Sequence, residues 1–362
     1  MTVLAIALPI AAFVVSAGLT RLVRGWAVKA GFCARPTEGR YHSRVIALGG
    51  GAAIFWTIAI FVLGGGAAVK LFSSGDIGWL DESVRIHIEG FLAKVPDLLI
   101  VVGCAFWLHL LGLWDDVKGL GPYVKLAAQL VIAVVAAACA DVRVEMFIEN
   151  RLITTVLSAL WLVLIINAFN FLDNMDGCSA GIAIIATGVL LTAAFGSGQV
   201  FVTAMGLVFA GALAGFLVFN FPPAKIFMGD AGSLVVGFFV GLLTLRTTYY
   251  HQSSSGEFYA VLMPLVVMAV PLYDFLGVVY LRLRQGRSPF VGDTQHFSHR
   301  LARRGLSDRQ VVLTLYLATL CTGLGAVLLR QVNLAGAVIV FAQTLMTLAV
   351  VAVLETSGSA RQ

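Results

Sequence analysis

Eleven stretches of about 20 mostly apolar residues follow one another along this chain, and few architectures accept such a pattern. They run roughly over 3–22, 46–69, 95–114, 122–140, 152–171, 180–197, 200–220, 232–250, 258–281, 310–329 and 333–354. Each is long enough to cross a bilayer as a helix, the form in which a segment satisfies its own backbone hydrogen bonds in lipid. Charged residues make up 12% of the 362, against roughly 25% in soluble domains. The sequence therefore predicts an all-α integral membrane protein with about eleven transmembrane helices. Met1 to Leu19 is apolar and lacks a small-residue cleavage site, so it is expected to be the first span rather than a signal peptide. With no internal repeat and no low-complexity tract, residues 1–362 are expected to form a single polytopic domain. Five cysteines (33, 104, 139, 178, 321) show no paired spacing and indicate neither disulfides nor a zinc site.

The basic residues orient the chain. With the N-terminus outside, the inner connections and the C-terminus hold 17 of the 24 Lys and Arg residues, and the positive-inside rule then puts the C-terminus in the cytoplasm. The formal charge of +5 thus fits a membrane surface and gives no argument for nucleic acid. In this orientation the connections after spans 3, 5, 7 and 9 share the cytoplasmic face. They carry Asp115-Asp116, Asp173 and Asp176, Asp230, and His296 with His299. Chemistry-bearing residues spread over 180 positions are thereby expected to converge by parity alone.

Each cluster has a plain reading and a chemical one. Asp115-Asp116 is either an acidic helix flank or a pair whose repulsion a divalent cation relieves; oxygen ligands suit magnesium. Asn170, Asp173 and Asp176 recur at one-turn spacing, which suits a ligand-facing helix edge as well as a polar loop. In Phe227-Met228-Gly229-Asp230-Ala231-Gly232-Ser233 the glycines permit close backbone approach. The span that follows points its N-terminal N–H groups to the same face, where an anion would sit. Asp230 or Ser233 could equally cap that helix. Spans 4, 6 and 8 all begin at this face, so three positive helix ends beside several carboxylates suit metal plus phosphate, the needs of phosphoryl transfer. Pro264 and Pro271 are expected to kink span 9, and Asp274, deep in it, is either functional or paired with a neighbour such as an arginine. His109, inside span 3, is expected to be packed and hydrogen-bonded.

These motifs, in this order, resemble those of the polyprenyl-phosphate N-acetylhexosamine-1-phosphate transferases. The resemblance runs from Pro36 to about Ser307 and rests on five motifs. They are Arg40-x-His42 leading to Gly50-Gly51; Gly112-x-x-Asp115-Asp116 with Lys125 and Gln129; Asn167-x-x-Asn170-x-x-Asp173-x-x-Asp176-Gly177; Phe227-Met228-Gly229-Asp230-x-Gly232-Ser233; and Asp293-x-x-His296-x-x-His299-Arg300-Leu301. Departures are Ala34, Ala47 and Ser298, where many members have Asp, Pro and His. The histidine segment is most similar to the N-acetylglucosamine branch.

The resemblance implies transfer of a sugar 1-phosphate, N-acetylglucosamine 1-phosphate above all, from a UDP-sugar to undecaprenyl phosphate. UMP would be released in this first membrane step of a cell-envelope glycan, and magnesium, replaceable by manganese, would be required. It implies Asp115, Asp116 and Asp230 as catalytic residues, with Asp230, Asp115 and Asp173 as metal ligands. Either Asp115 or Asp116 would orient or deprotonate the lipid phosphate or help hold the metal. Asn170, Asp173, Asp176 and Asn220 would line the nucleotide-sugar site, with Phe227 against the uracil. Arg40, His42, Lys125, His296, His299 and Arg300 would contact phosphates or shape the pocket. It implies a multi-pass protein of the bacterial inner membrane, in contact with membrane lipids, with room for a homodimer. Two other readings stand beside it: a transferase for UDP-N-acetylmuramoyl-pentapeptide, and, from another class, a cation-coupled transporter, whose charges should lie near mid-membrane.

Overall fold

The computed structural model describes residues 2–34, 45–73, 86–140, 142–144, 148–247, 258–288 and 295–356. Arg40, His42 and Asp293 lie outside them. The long helices are α1 (Thr2–Ala30), α2 (Gly50–Ser73), α3 (Ile88–Lys118), α4 (Pro122–Cys139), α5 (Arg151–Leu172), α6 (Cys178–Gly196), α7 (Val200–Asn220) and α8 (Asp230–Arg246). A 3-10 turn (Phe258–Leu262) leads into α9 (Met263–Val267) and α10 (Ala269–Arg284). The short α11 (Phe297–Arg303) precedes α12 (Asp308–Leu328) and α13 (Leu334–Thr356). Each of the eleven expected spans contains helix, although the second begins as strand at 46–47 and the ninth is broken.

Nine of these helices are long and apolar enough to cross a membrane, and ten spans result if the bent pair α9–α10 counts as one. The protein is thus a multi-pass membrane protein. Helix α8, at the eighth of the eleven expected spans, has 17 residues and a length of about 26 Å. Every residue of it from Ala231 to Thr244 is buried. Helices α2, α3, α5, α6 and α7 pack around it, so α8 is the central post of the fold. By contrast, outer helices leave large apolar side chains exposed, such as Val14, Trp107, Leu152 and Ile339, as a lipid-facing surface requires.

The expected kink in span 9 is a 64° bend at Met268. Pro271 has no N–H with which to close a helical bond on Val267, so the ladder lapses there.

Three helices cross at the start of α8, and glycine makes the crossing possible. A Cβ on Gly51 would lie 2.2 Å from the Gly232 nitrogen, and one on Gly112 would lie 2.4 Å from the Ala231 nitrogen. Both are impossible contacts, so α2 and α3 meet α8 backbone to backbone. The N–H groups of Gly50 and Gly51 donate to the carbonyls of Phe227 and Met228, at 2.9 Å each. Two short antiparallel strands, β1 (Cys33–Ala34) and β2 (Ile46–Ala47), join this corner through a parallel bridge from Ala47 to Ile226. His109 fastens it from α3: its Nδ1 donates to the Ala231 carbonyl at 2.9 Å, and its ring stacks on Phe55. It is packed and hydrogen-bonded, as expected.

Candidate active site

The clusters set at one end of the spans by parity do meet. Lys125 reaches in from the first turn of α4. Its Nζ donates to Asp115 Oδ2 at 3.0 Å, to Asn170 Oδ1 at 3.4 Å, and in a short contact to Asp230 Oδ2. Asn170 in turn donates to Asp230 Oδ1 at 3.0 Å and to Ser233 Oγ at 2.8 Å. Four helices thus contribute to one polar knot. Asp115 also accepts the Leu120 N–H, which fixes the turn between α3 and α4.

Asp116 has a different surrounding from its neighbour. Its Oδ1 accepts the Asp230 N–H at 2.9 Å, and its Oδ2 accepts the Ala231 N–H at 3.1 Å. The expectation that the start of α8 offers these N–H groups to a ligand anion is corrected: the Asp116 carboxylate takes them. Nor do Asp230 and Ser233 cap the helix; both face Asn170. Gly229, at φ +70°, brings the chain close enough for this, since a Cβ there would lie 2.5 Å from Asp116 Oδ2.

Asp173 ends α5, its N–H donating to the Phe169 carbonyl at 3.1 Å. Burial first, and then the Asp230, Asp116 and Asp176 carboxylates, push its carboxyl well above the usual range. Asp176 Oδ2 accepts the Ala224 N–H at 2.7 Å and so joins this turn to the 221–229 loop. Asn220, 2% exposed, does the same: its Oδ1 accepts from Gly177 N at 2.9 Å and its Nδ2 donates to the Ile226 carbonyl at 2.9 Å. Phe227 is half-buried beside β2, its N–H donating to the Ala47 carbonyl at 2.8 Å.

The histidine segment forms the other wall. Asp274 is fully buried on α10, and its partner is a histidine, not an arginine: His296 Nδ1 lies 2.8 Å from Asp274 Oδ2, and the Phe297 N–H donates to Oδ1 at 3.0 Å. The His296 and Phe171 rings meet in a T-shaped contact. Ser298, the residue at the family's variable position, donates its hydroxyl to Asn174 Oδ1. His299 is 4% exposed, and burial, followed by His296 and Arg303, pushes its imidazole down to about 4. Arg300 turns away from the carboxylates, to Glu355 and the Gln295 carbonyl. Sequence reasoning passed over Glu355, although a lone carboxylate closing an apolar run is a visible signal.

Among the described residues, no three acidic, histidine or cysteine side chains are gathered tightly enough to ligate one ion as they stand. The Lys125 ammonium occupies the place between Asp115 and Asp230. The donor set still suits a hard dication, because Asp115, Asp116, Asp173 and Asp230 are all oxygen donors and one lysine offsets them only in part.

Residues 98–248, which include Asp115, Asp116, Lys125, Asn170, Asp173 and Asp230, match glycosyl transferase family 4. A probable undecaprenyl-phosphate N-acetylglucosaminyl 1-phosphate transferase of Bacillus subtilis is 29% identical over 87% of this chain and 82% of its own length. A decaprenyl-phosphate N-acetylglucosaminephosphotransferase of Mycolicibacterium smegmatis is 30% identical over 83% of this chain and 76% of its own. An undecaprenyl-phosphate alpha-N-acetylglucosaminyl 1-phosphate transferase of Salmonella typhi is 28% identical over 84% and 78%. With that extent of likeness, and the motifs gathered into one site, the chain belongs to the polyprenyl-phosphate N-acetylhexosamine-1-phosphate transferases, glycosyl transferase family 4.

Proposed function

We propose that the protein transfers N-acetylglucosamine 1-phosphate from UDP-N-acetylglucosamine to undecaprenyl phosphate, releasing UMP. The observation that carries this is the Lys125 bridge between Asp115 and Asp230, beside Asn170, at the glycine crossing of α2, α3 and α8. In the reaction, an acceptor phosphate oxygen attacks the sugar-bearing phosphorus of the donor. The new P–O bond forms as the bond to the bridging oxygen breaks, and UMP leaves with the electron pair. A phosphate monoester has a second pKa of about 6, so at neutral pH the acceptor is mostly ionised already and asks little of a base. Catalysis then rests on positioning and charge.

The side chains divide this work. Lys125 offsets the carboxylates and supplies positive charge toward the phosphates. Asn170 holds Asp230 in register through its amide. Asp116, with both oxygens on the α8 backbone, orients the helix start that carries Asp230, which leaves Asp115 to face the acceptor. Asp173, Asp176 and Asn220 shape the donor side with Phe227, and His296 and His299 close it. Asp230, with Asp115 and Asp173, would hold magnesium or manganese. When bound, the ion supplies positive charge to the diphosphate. On this reading the site faces the cytoplasm of a bacterial inner membrane, with the N-terminus outside.

The test is UMP release by purified protein given undecaprenyl phosphate, magnesium and a panel of UDP-sugars. Turnover that needs all three components, with UDP-N-acetylglucosamine as donor, is the expected result. Turnover only with UDP-N-acetylmuramoyl-pentapeptide would overturn the sugar assignment, and none with any donor would overturn the reaction.

A further inference from the structure

The last membrane helix, α13, contains one charged residue among 23, Glu355. Its outer face carries Val338, Ile339, Leu345, Met346, Val350 and Val353, all more than half exposed, where lipid would lie. Glu355 is 8% exposed and turns inward. Its Oε2 accepts from Arg300 Nε at 3.1 Å and from Nη2 at 2.9 Å, and its Oε1 accepts the Tyr273 hydroxyl at 2.7 Å. Its backbone carbonyl accepts from Arg304 Nε at 3.1 Å. Both Arg300 nitrogens meet the same oxygen, so the pair is a charge-assisted bifurcated contact, and Oε1 is left to Tyr273.

These bonds matter because of what Arg300 sits on. Helix α11 has seven residues, too few to be stable by itself, so its place is set by its tethers. Asp274 holds its N-terminal end through His296 and the Phe297 N–H. Ser298 ties it to Asn174 in the turn after α5. Glu355 holds the opposite side, from a helix outside the motif-bearing region.

We propose that Glu355 is a positioning residue for the transfer reaction: through Arg300 it holds α11 so that His296, Ser298 and His299 lie over the Phe171–Gly177 turn. The proposal rests on the function proposed above. It assigns the C-terminal helix a part in donor binding and makes Arg300 the receiving end of a latch. A carboxylate is needed there because glutamine keeps the shape but loses the charge that grips the guanidinium.

The experiment pairs hydrogen exchange with kinetics on the full-length protein and its Glu355→Gln variant. In the variant, amide exchange within residues 295–304 is expected to rise about tenfold, a factor equivalent to 1.4 kcal/mol, while α8 and α6 are unchanged. KM for UDP-N-acetylglucosamine should rise, with KM for undecaprenyl phosphate and the melting temperature unchanged, and Glu355→Asp should recover part of the loss. Unchanged exchange in this segment would overturn the latch. Faster exchange with unchanged donor KM, or exchange raised equally in every helix with a lower melting temperature, would overturn the positioning role. If the parent protein releases no UMP from any donor, the functional reading fails, and the exchange result alone decides whether the latch exists.

Discussion

The Asp116 carboxylate caps the helix that Asp230 begins, one oxygen on the Asp230 N–H and the other on the Ala231 N–H. Two aspartates 114 positions apart are thus locked in a fixed relation, and the adjacent Asp115 faces a different way, toward Lys125.

Asp116→Asn and Asp230→Asn should therefore fail differently. The first puts an amide donor against a backbone donor and removes a charge from a helix N-terminus, at a cost of about 1–2 kcal/mol. Both variants should lose UMP release, but only Asp116→Asn should also melt earlier in detergent. A normal melting curve for Asp116→Asn would remove its capping role.

Lys125→Ala leaves Asp115 and Asp230 facing each other without the ammonium between them. The variant should be inactive, and magnesium should raise its melting temperature more than that of the parent protein. At 100 times the dissociation constant a ligand adds about 2.7 kcal/mol, which is a readily measured shift. Equal shifts in the two proteins would place the ion elsewhere.

The glycine crossing gives a matched pair of substitutions in one helix. Gly112→Ala drives a methyl into the Asp230–Ala231 peptide and should cost roughly 1–3 kcal/mol or more, with loss of activity. Gly103→Ala meets nothing within 4 Å and should leave the protein as stable or gain up to ~1 kcal/mol from helix propensity. Expression and thermal melts of both variants in one membrane mimetic check this.

His299 gives a pH dependence of known sign. Its folded-state value, pushed down to about 4, lies below the ordinary 6.5, so the unfolded chain takes up the proton first. Its contribution is therefore intact above about pH 6.5 and is lost as pH falls toward 4, on the order of 3 kcal/mol in all. The stability difference between the parent and His299→Gln should shrink over that interval and stay constant above it. A difference that is flat from pH 7 to 4 would contradict this.

The apolar runs located eleven helical segments because lipid and core select long apolar helices whatever their neighbours, although α1 runs on to Ala30 and α3 begins as early as Ile88. α8 begins at Asp230 rather than 232 and its helix stops at Arg246. Parity brought Asp115, Asp173, Asp230 and His296 to one end, but it could not pair them. That Asp116 takes the α8 N–H groups, that Asp274 takes His296, and that Arg300 turns to Glu355 are all results of packing between segments far apart in the chain. Hydropathy carries no trace of such pairs. Asn220 shows the same limit: a residue that the resemblance assigns to the nucleotide-sugar site is 2% exposed and serves two backbone groups.

The crossing at Gly51, Gly112 and Gly232 also bears on how the protein is made. Asp116 leaves the ribosome 114 residues before the N–H group that will receive it, a delay of roughly 6–23 s at 5–20 residues per second. During that time α2 and α3 are already synthesised, with two adjacent carboxylates and a glycine groove that nothing yet fills. The late arrival of α8 closes the groove and gives the Asp116 carboxylate its two N–H partners in one event, whereas Lys125, the partner of Asp115, is made with α4. A chain interrupted before residue 230 thus leaves the glycine groove unfilled and Asp116 without the N–H groups that it holds in the finished fold.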